Sequence, residues 1–301
     1  MNRFTRSFKW TAIAGALLAQ AVSHAQVSCT REGLNAATDL YLAAQTKGDI
    51  AGLPLANGLG YVENVKVTNI NDSLIKTPMK IEHHRSLLDT ATCQTFTEVI
   101  VSDKANPYAL GTRLRVNHGL IAEIEILWTT TGYWGFNVDN YLKYSSSEDW
   151  GTIPAAKRDT RATLESAANA YLDAFLEGKV DLVPWGFPCN RTEGGMHTGK
   201  GTPDDSCQVG VPSGVNIANR HFVVDETIGA VVAFCTFGAG SPASGGGSGA
   251  PDTHLFRVES GKLRFVHTLT HLLQANGPGR GGRGQGAPAN GGRSGTPGNP
   301  Q

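Results

Sequence analysis

The strongest constraint on this chain is an internal repeat. Thr30-Arg31-Glu32-Gly33-Leu34 returns as Thr160-Arg161-Ala162-Thr163-Leu164, at an offset of 130 (160 − 30). The same offset aligns Ala37 with Ala167, Tyr41-Leu42 with Tyr171-Leu172, and Gly48 with Gly178. Both segments carry apolar residues at three- and four-residue steps and stop at a glycine, the pattern of an amphipathic helix and its C-terminus. Further on, Asp89 realigns with Asp225 at offset 136 (225 − 89), and Arg115 with Arg257 at offset 142 (257 − 115). Each increase requires extra residues in the second copy, and the Gly/Ser-rich run 238–249 supplies one such loop. Three matched blocks in one order, drifting only at loops, mark a duplicated unit.

Each copy reads as a helix, an irregular segment and then strands. Strands are expected near 84–88, 95–102, 110–116 and 121–129 in the first copy, and near 220–224, 230–237, 254–258 and 263–270 in the second. The last two of each copy are joined by Asn117-His118-Gly119 or Glu259-Ser260-Gly261, short turns that signal hairpins. A helix followed by antiparallel strands is an α+β unit, with the helix packed on one face of a curved sheet.

The two ends lie outside this unit. Arg3, Arg6 and Lys9 precede an apolar run from Trp10 to Val22 and then Ser23-His24-Ala25, the order of a secretory signal peptide cleaved near Ala25. Residues 275–301 collapse to Gly, Pro, Asn, Ala and Arg, a composition that cannot bury enough surface to order itself. The expected organisation is a signal peptide over 1–25, repeats over 26–150 and 151–274, and a disordered tail. The expected location is secreted or periplasmic. No later stretch is apolar for the ~20 residues of a membrane span. The formal net charge is zero, which argues against nucleic acid and a polybasic membrane patch.

Export favours disulfides among the five cysteines. Cys189 and Cys207 flank a polar loop they could close, Cys29 and Cys93 could tie the first helix to a strand, and Cys235 sits in an apolar run as a buried free thiol. Neither the cysteines nor the scattered histidines show a spacing that marks a metal site, so no metal is expected. Phosphate-loop and dinucleotide signatures are lacking, so no cofactor is expected either. Asn71-Asp72-Ser73 and Asn190-Arg191-Thr192 fit the glycosylation acceptor pattern.

The ending Tyr41-Leu42…Gly48-Asp49, followed by long strands that close through Gly119, Ile121 and Ile124, resembles the NTF2-like, or SnoaL-like, cone. The mature chain is also similar to a secreted family of unassigned activity, DUF8021. The similarity lies in Trp134, Glu148-x-Trp150, Cys189-x-Arg191-x-Glu193-Gly194-Gly195, Val223-Val224-Asp225-Glu226 and Pro251-Asp252-x-His254-x-Phe256-Arg257-Val258. The NTF2-like resemblance implies a conical half-barrel around an apolar pocket with a few polar groups inside. Members are cofactor-free isomerases, dehydratases, cyclases and lyases, or binding modules without activity, so the fold does not select the function.

The densest polar cluster is His83-His84-Arg85 with Asp89. Alternation puts His84, Ser86 and Leu88 on one strand face and His83, Arg85 and Leu87 on the other. A histidine and a carboxylate facing a dry pocket form a general base pair; facing solvent, they would be an ordinary strand and turn. His267 and His271 share a face of the last strand and would be pocket residues if that face lines the cone. The candidate catalytic residues are therefore His84, His83, Asp89, His267 and His271, and the candidate substrate-binding residues are Arg220, His221, Trp128, Trp134 and Tyr41. Arg115 and Arg257 are expected to fasten strands by bridging Asp89 or Asp225. The aromatic residues between Trp128 and Trp150 are expected to pack the copies together or to form a wall for a ring-bearing ligand. Taken together, the residues point to an exported cofactor-independent lyase or isomerase for a small organic molecule, with a non-catalytic binding protein as the alternative. A third reading is a wall-associated protein tethered by its tail. The chain is expected as a monomer or homodimer.

Overall fold

Helices α1 (Arg31–Lys47) and α3 (Arg161–Glu177) open the two copies with 17 residues each. The Thr30 hydroxyl accepts from Gly33 N and the Thr160 hydroxyl from Thr163 N, so each helix starts at the same side-chain cap. Gly48 and Gly178 end them at φ 65° and 67°, a left-handed conformation natural to glycine. The computed structural model describes residues 27–241 and 247–273. The expected signal peptide and the Gly/Arg-rich tail fall outside the described residues.

Strands β1 (Leu55–Glu63), β2 (Lys66–Val67), β3 (His83–Asp89), β4 (Gln94–Val101), β5 (Tyr108–Asn117) and β6 (Leu120–Thr130) form one sheet in the order β2-β1-β6-β5-β4-β3. The second sheet has the same order, β8-β7-β12-β11-β10-β9, from β7 (Trp185–Glu193), β8 (Met196–His197), β9 (Ile217–Asp225), β10 (Ala230–Phe237), β11 (Ala250–Glu259) and β12 (Lys262–Thr270). Helix α2 (Val138–Ser145) lies in the link between copies. The chain is thus α+β, with two cone-like repeats of one topology. The segment expected to be irregular after each first helix holds a strand instead. β1 and β7 run parallel to β6 and β12, with a register shift in each pair, so both sheets are mixed. Glycines at 58 and 60 and a proline at 188 hide these strands from a reading based on alternation.

Three apolar clusters follow from strand alternation. Leu88, Val99, Leu110 and Leu114 meet α1 on one face of the first sheet. Val224, Val231, Phe256 and Val258 meet α3 in the second. Leu87, Phe96, Ile100 and Leu127 point the other way, into Val223, Val232, Phe234 and Leu255. The sheets therefore pack face to face, with the helices outside. The expected pocket between helix and sheet is corrected by this packing. In the first copy the space is filled by Tyr41, which is fully buried and hydrogen-bonded to Thr112 Oγ1 at 2.7 Å. In the second it is filled by Tyr171, also fully buried and 3.4 Å from Arg191 Nη1. A tyrosine reaching inward from each helix occupies the volume a ligand would need.

The copies are related by a pseudo-twofold axis, and the repeated residues mark it. Asp225 takes Arg31 Nη1 at 2.8 Å and Leu88 N at 2.9 Å from the first copy. Asp89 takes Arg161 Nη2 and, at 3.0 Å, Val224 N from the second. Each carboxylate thereby covers a free N–H on the outer edge of the other copy's last sheet strand. The expected bridges from Arg115 and Arg257 to these aspartates do not form. Arg115 reaches Glu123 at 2.6 Å, and Arg257 binds Glu259 together with the Gly151 and Ile228 carbonyls. Both arginines stand near the hairpin turns, where neighbouring strand residues are closer partners than the aspartates.

Two disulfides close, Cys29–Cys93 and Cys189–Cys207, and Cys235 is a buried free thiol. Cys189–Cys207 spans 18 residues of the second copy's long loop. Replacing both cysteines by serine is expected to remove about 3 kcal/mol of loop-closure stabilisation, measurable as a lower urea midpoint.

Candidate functional site

The pseudo-twofold axis creates two equivalent positions between the sheets, and the sequence has made them different. Gln94 faces Asp89 as Ala230 faces Asp225, so β3 and β4 correspond to β9 and β10 at offset 136 (230 − 94). Arg113 faces Glu125 as Leu255 faces His267, so β5 and β6 correspond to β11 and β12 at offset 142 (267 − 125). The trio Arg85, Glu98 and His267 at one position therefore corresponds to His221, Phe234 and Glu125 at the other. In both, the first two residues come from one copy and the third crosses from its partner.

The first position is closed. His267 Nδ1 lies 2.9 Å from Glu98 Oε1 and its Nε2 lies 2.7 Å from Glu148 Oε2. Arg85 Nη1 donates to Glu98 Oε2 at 2.8 Å, and Arg85 stacks 4.3 Å from the Trp150 ring centroid. Tyr141 donates its hydroxyl to Glu98, and Arg85 Nη2 donates to the Ser145 carbonyl. Burial opposes a charge on His267, but the Glu148 and Glu98 carboxylates outweigh it and lift the imidazole to about 9. Burial likewise opposes the Glu98 carboxylate, yet His267 and Arg85 hold it well below its usual range. Two carboxylates thus balance one guanidinium and one imidazolium. Helix α2 and the segment to Trp150 cover the cluster, so every member is buried. An imidazolium that donates from both nitrogens has no lone pair for a substrate proton. His267 is therefore a structural cation at the copy interface rather than the expected catalytic base, because its strand face meets the other sheet.

The second position is open. A cavity of 390 Å³ lies between the copies, walled by Glu125 and Leu127 of β6, His221 of β9 and Phe234 of β10. It continues over Asn219 and Thr236 to Cys235 and Asp252. His221 Nε2 is 2.9 Å from Glu125 Oε2, which also accepts from Arg113 Nε at 2.8 Å. The imidazole lies flat on Phe234, with ring centroids 5.2 Å apart. Burial raises Glu125, but His221 and Arg113 outweigh it and hold the carboxylate below its ordinary value. The His221 side chain is 45 % exposed, so a ligand can reach it. A bulge in β9 beside Cys235, with Asn219 at φ 55°, turns the strand and makes the space.

The other expected site residues do not gather here. His84 is exposed. His83 is half-buried, and burial followed by the nearby Arg85 charge holds its imidazole below the ordinary value. Asp89 is fully buried at the opposite end of the strand, roughly 17 Å from His84 by strand rise. It serves the inter-copy contact and caps the Ala91 and Thr92 amides, so the expected His84–Asp89 base pair is corrected. His271 sits against Asn64 and the Trp128 carbonyl, tilted on Tyr133. Trp128 packs among Tyr108, Tyr133 and His271. Trp134 donates to Glu193 at 2.8 Å, beside α2. Tyr41 fills the first hollow, and Arg220 turns outward to Asn169 and Asp173 of α3. Of the ten candidates, only His221 lines the cavity. Glu125, its partner, was not among them; the one signal for it in the sequence is the repeat offset of 142, which maps it onto His267.

Residues 157–270 match the model of a family described as a domain of unknown function, DUF8021. The match covers the second copy, with His221 and Cys235 but not Glu125. A solved structure described as a SnoaL-like polyketide cyclase from Jannaschia sp. CCS1 is similar at 13 % identity, over 42 % of this chain and 99 % of that one, with a TM-score of 0.27. No curated protein matches.

Proposed function

For a chain whose residues 157–270 match the DUF8021 family, we propose an exported protein that takes a small organic molecule into the inter-copy cavity and moves a proton there. Among the described residues no helix is long and apolar enough to cross a membrane, and two disulfides suit an oxidising compartment. The observation that carries the reading is the contact of His221 Nε2 with Glu125 Oε2 at 2.9 Å on the wall of the cavity. With Nε2 donating to Glu125, Nδ1 is the nitrogen that accepts a proton from substrate. Glu125, kept ionised by Arg113, orients the ring and stabilises the imidazolium that results. Phe234 and Leu127 give the cavity an apolar wall for the carbon skeleton. This set serves isomerisation, where the proton taken from one carbon is returned to another. It also serves elimination or dehydration, where the C–H electron pair forms the double bond, the leaving group departs with its own bonding pair and the imidazolium proton passes to it.

The test is untargeted. The purified mature protein is incubated with exported metabolites of its host, and mass changes are followed. Replacing His221 by Gln is expected to slow any conversion at least ~100-fold, the usual worth of a positioned general base. Full turnover by that variant would remove His221 from the mechanism. A metabolite retained without chemical change would make the cavity a binding site only. We also propose a monomer, because each sheet already covers the other's open face; light scattering checks it.

A further inference from the structure

We propose that Cys235, Asp252 and His254 form a binding site for one zinc-type divalent cation at the floor of the cavity. Cys235 Sγ lies 3.8 Å from Asp252 Oδ2 and 3.9 Å from His254 Nδ1, and the last two atoms are 3.1 Å apart. A tetrahedral ion with ordinary zinc bond lengths requires edges of about 3.5, 3.5 and 3.3 Å between S, O and N ligands. The three atoms therefore need shifts of only a few tenths of an ångström to share one ion. Cys235 and Asp252 line the cavity, so the fourth coordination position faces it. That is the arrangement of a zinc site with one place left for water or a ligand.

The surroundings support a cation. All three side chains are more than nine-tenths buried. Among the described residues no lysine or arginine forms an ion pair with Asp252. Its other oxygen accepts from Thr270 Oγ1 at 3.0 Å, which fixes the carboxylate as an outer-shell bond fixes a ligand. The His254 ring is held among Tyr171, Phe175 and Phe256. An ion would take Cys235 as the thiolate, with the thiol proton leaving to solvent as the S–metal bond forms. The repeat supplies a comparison inside the molecule. At the offsets of 136 and 142 set by strand register, the first copy has Val99, Leu110 and Thr112 in these places. The fold closes without the polar trio there, so packing alone does not require it. No spacing motif marks the site, because the ligands come from two adjacent strands, with Asp252 and His254 two residues apart on β11.

The inference holds whether or not His221 turns over a substrate. The test titrates chelator-treated mature protein with Zn²⁺ against an indicator, and with Co²⁺ by absorption. Expected are one ion per chain, a thiolate-to-cobalt charge-transfer band, and the intense visible bands of a four-coordinate site. Cys235→Ser is expected to abolish the charge-transfer band and to weaken Zn²⁺ at least ~100-fold, beyond what an outer-shell change does. A second variant carries the first copy's residues, Cys235→Val with Asp252→Leu and His254→Thr. It is expected to fold, by circular dichroism, and to take up no ion. Wild-type protein that is folded and binds neither ion, or binds cobalt without a thiolate band, overturns the proposal. So does a Cys235→Ser variant with unchanged affinity.

Discussion

Replacing His267 by Ala is expected to lower the free energy of unfolding by about 3–5 kcal/mol, the usual cost of removing one partner from a buried ion pair. Both ring nitrogens are bound to carboxylates that are nearly inaccessible, so the variant leaves Glu98 and Glu148 with one cation, Arg85, between them. The same cluster sets a pH dependence. An imidazole at about 9 in the folded chain, against 6.5 as its reference, contributes roughly 3 kcal/mol. That contribution is complete below pH ~6.5 and is lost as pH rises through about 9. Glu98, held low, acts in the opposite direction: its contribution is present above its ordinary range and lost as acid protonates it. The two describe one interaction seen from its two partners, so they are counted once. Urea melts of wild type between pH 6 and pH 10 should lose stability progressively, while the alanine variant should lose much less. A variant that melts like wild type across that range would show that His267 is not charged in the folded protein.

The second large effect lies at the reciprocal aspartates. Asp225→Ala removes the acceptor of Leu88 N, at 2.9 Å, and of Thr227 N, at 3.0 Å, as well as the partner of Arg31. Leaving a buried amide without an acceptor costs about 1–3 kcal/mol, so a total near 3 kcal/mol is expected. Asp89→Ala should cost a similar amount, because it strips Val224 N, Ala91 N and Thr92 N in the same way. Asn at either position keeps one acceptor oxygen and should be milder than Ala. Chemical denaturation of the four single variants checks this. Alanine and asparagine variants of equal stability would assign the effect to the charge instead of the amides. Each aspartate touches the opposite copy, so the double alanine variant should also expose the inter-sheet surface to a hydrophobic dye.

Much of this was legible in the sequence. The duplicated helix with its terminal glycine and the four late strands of each copy follow from local pattern, and both disulfides close between cysteines that the sequence offered as possible partners. The early strands were not legible, since glycine and proline interrupt their alternation and parallel pairing to a strand 63 (126 − 63) to 78 (263 − 185) residues away leaves no local mark. The candidate histidines show the same limit. His267 and Leu269 were correctly placed on one face of a strand, but alternation does not say whether that face meets a helix, a cavity or another sheet. Glu98 lies 169 residues from His267, and no local periodicity connects them.

The sequence by itself determined that one α+β unit is present twice and that each copy begins with the same capped helix. These are consequences of short-range backbone preferences and of a repeat visible as an offset. Which cysteines pair was decided by the structure, along the pairings the sequence left open. Tertiary structure alone decided that the sheets meet face to face, that tyrosines fill the hollows, and that one of two pseudo-symmetric positions is covered by α2 while the other stays open. The reason is that burial belongs to surfaces. A strand carries two faces of defined residues, but only the partner that covers a face turns its histidine into a structural cation or leaves it beside a cavity.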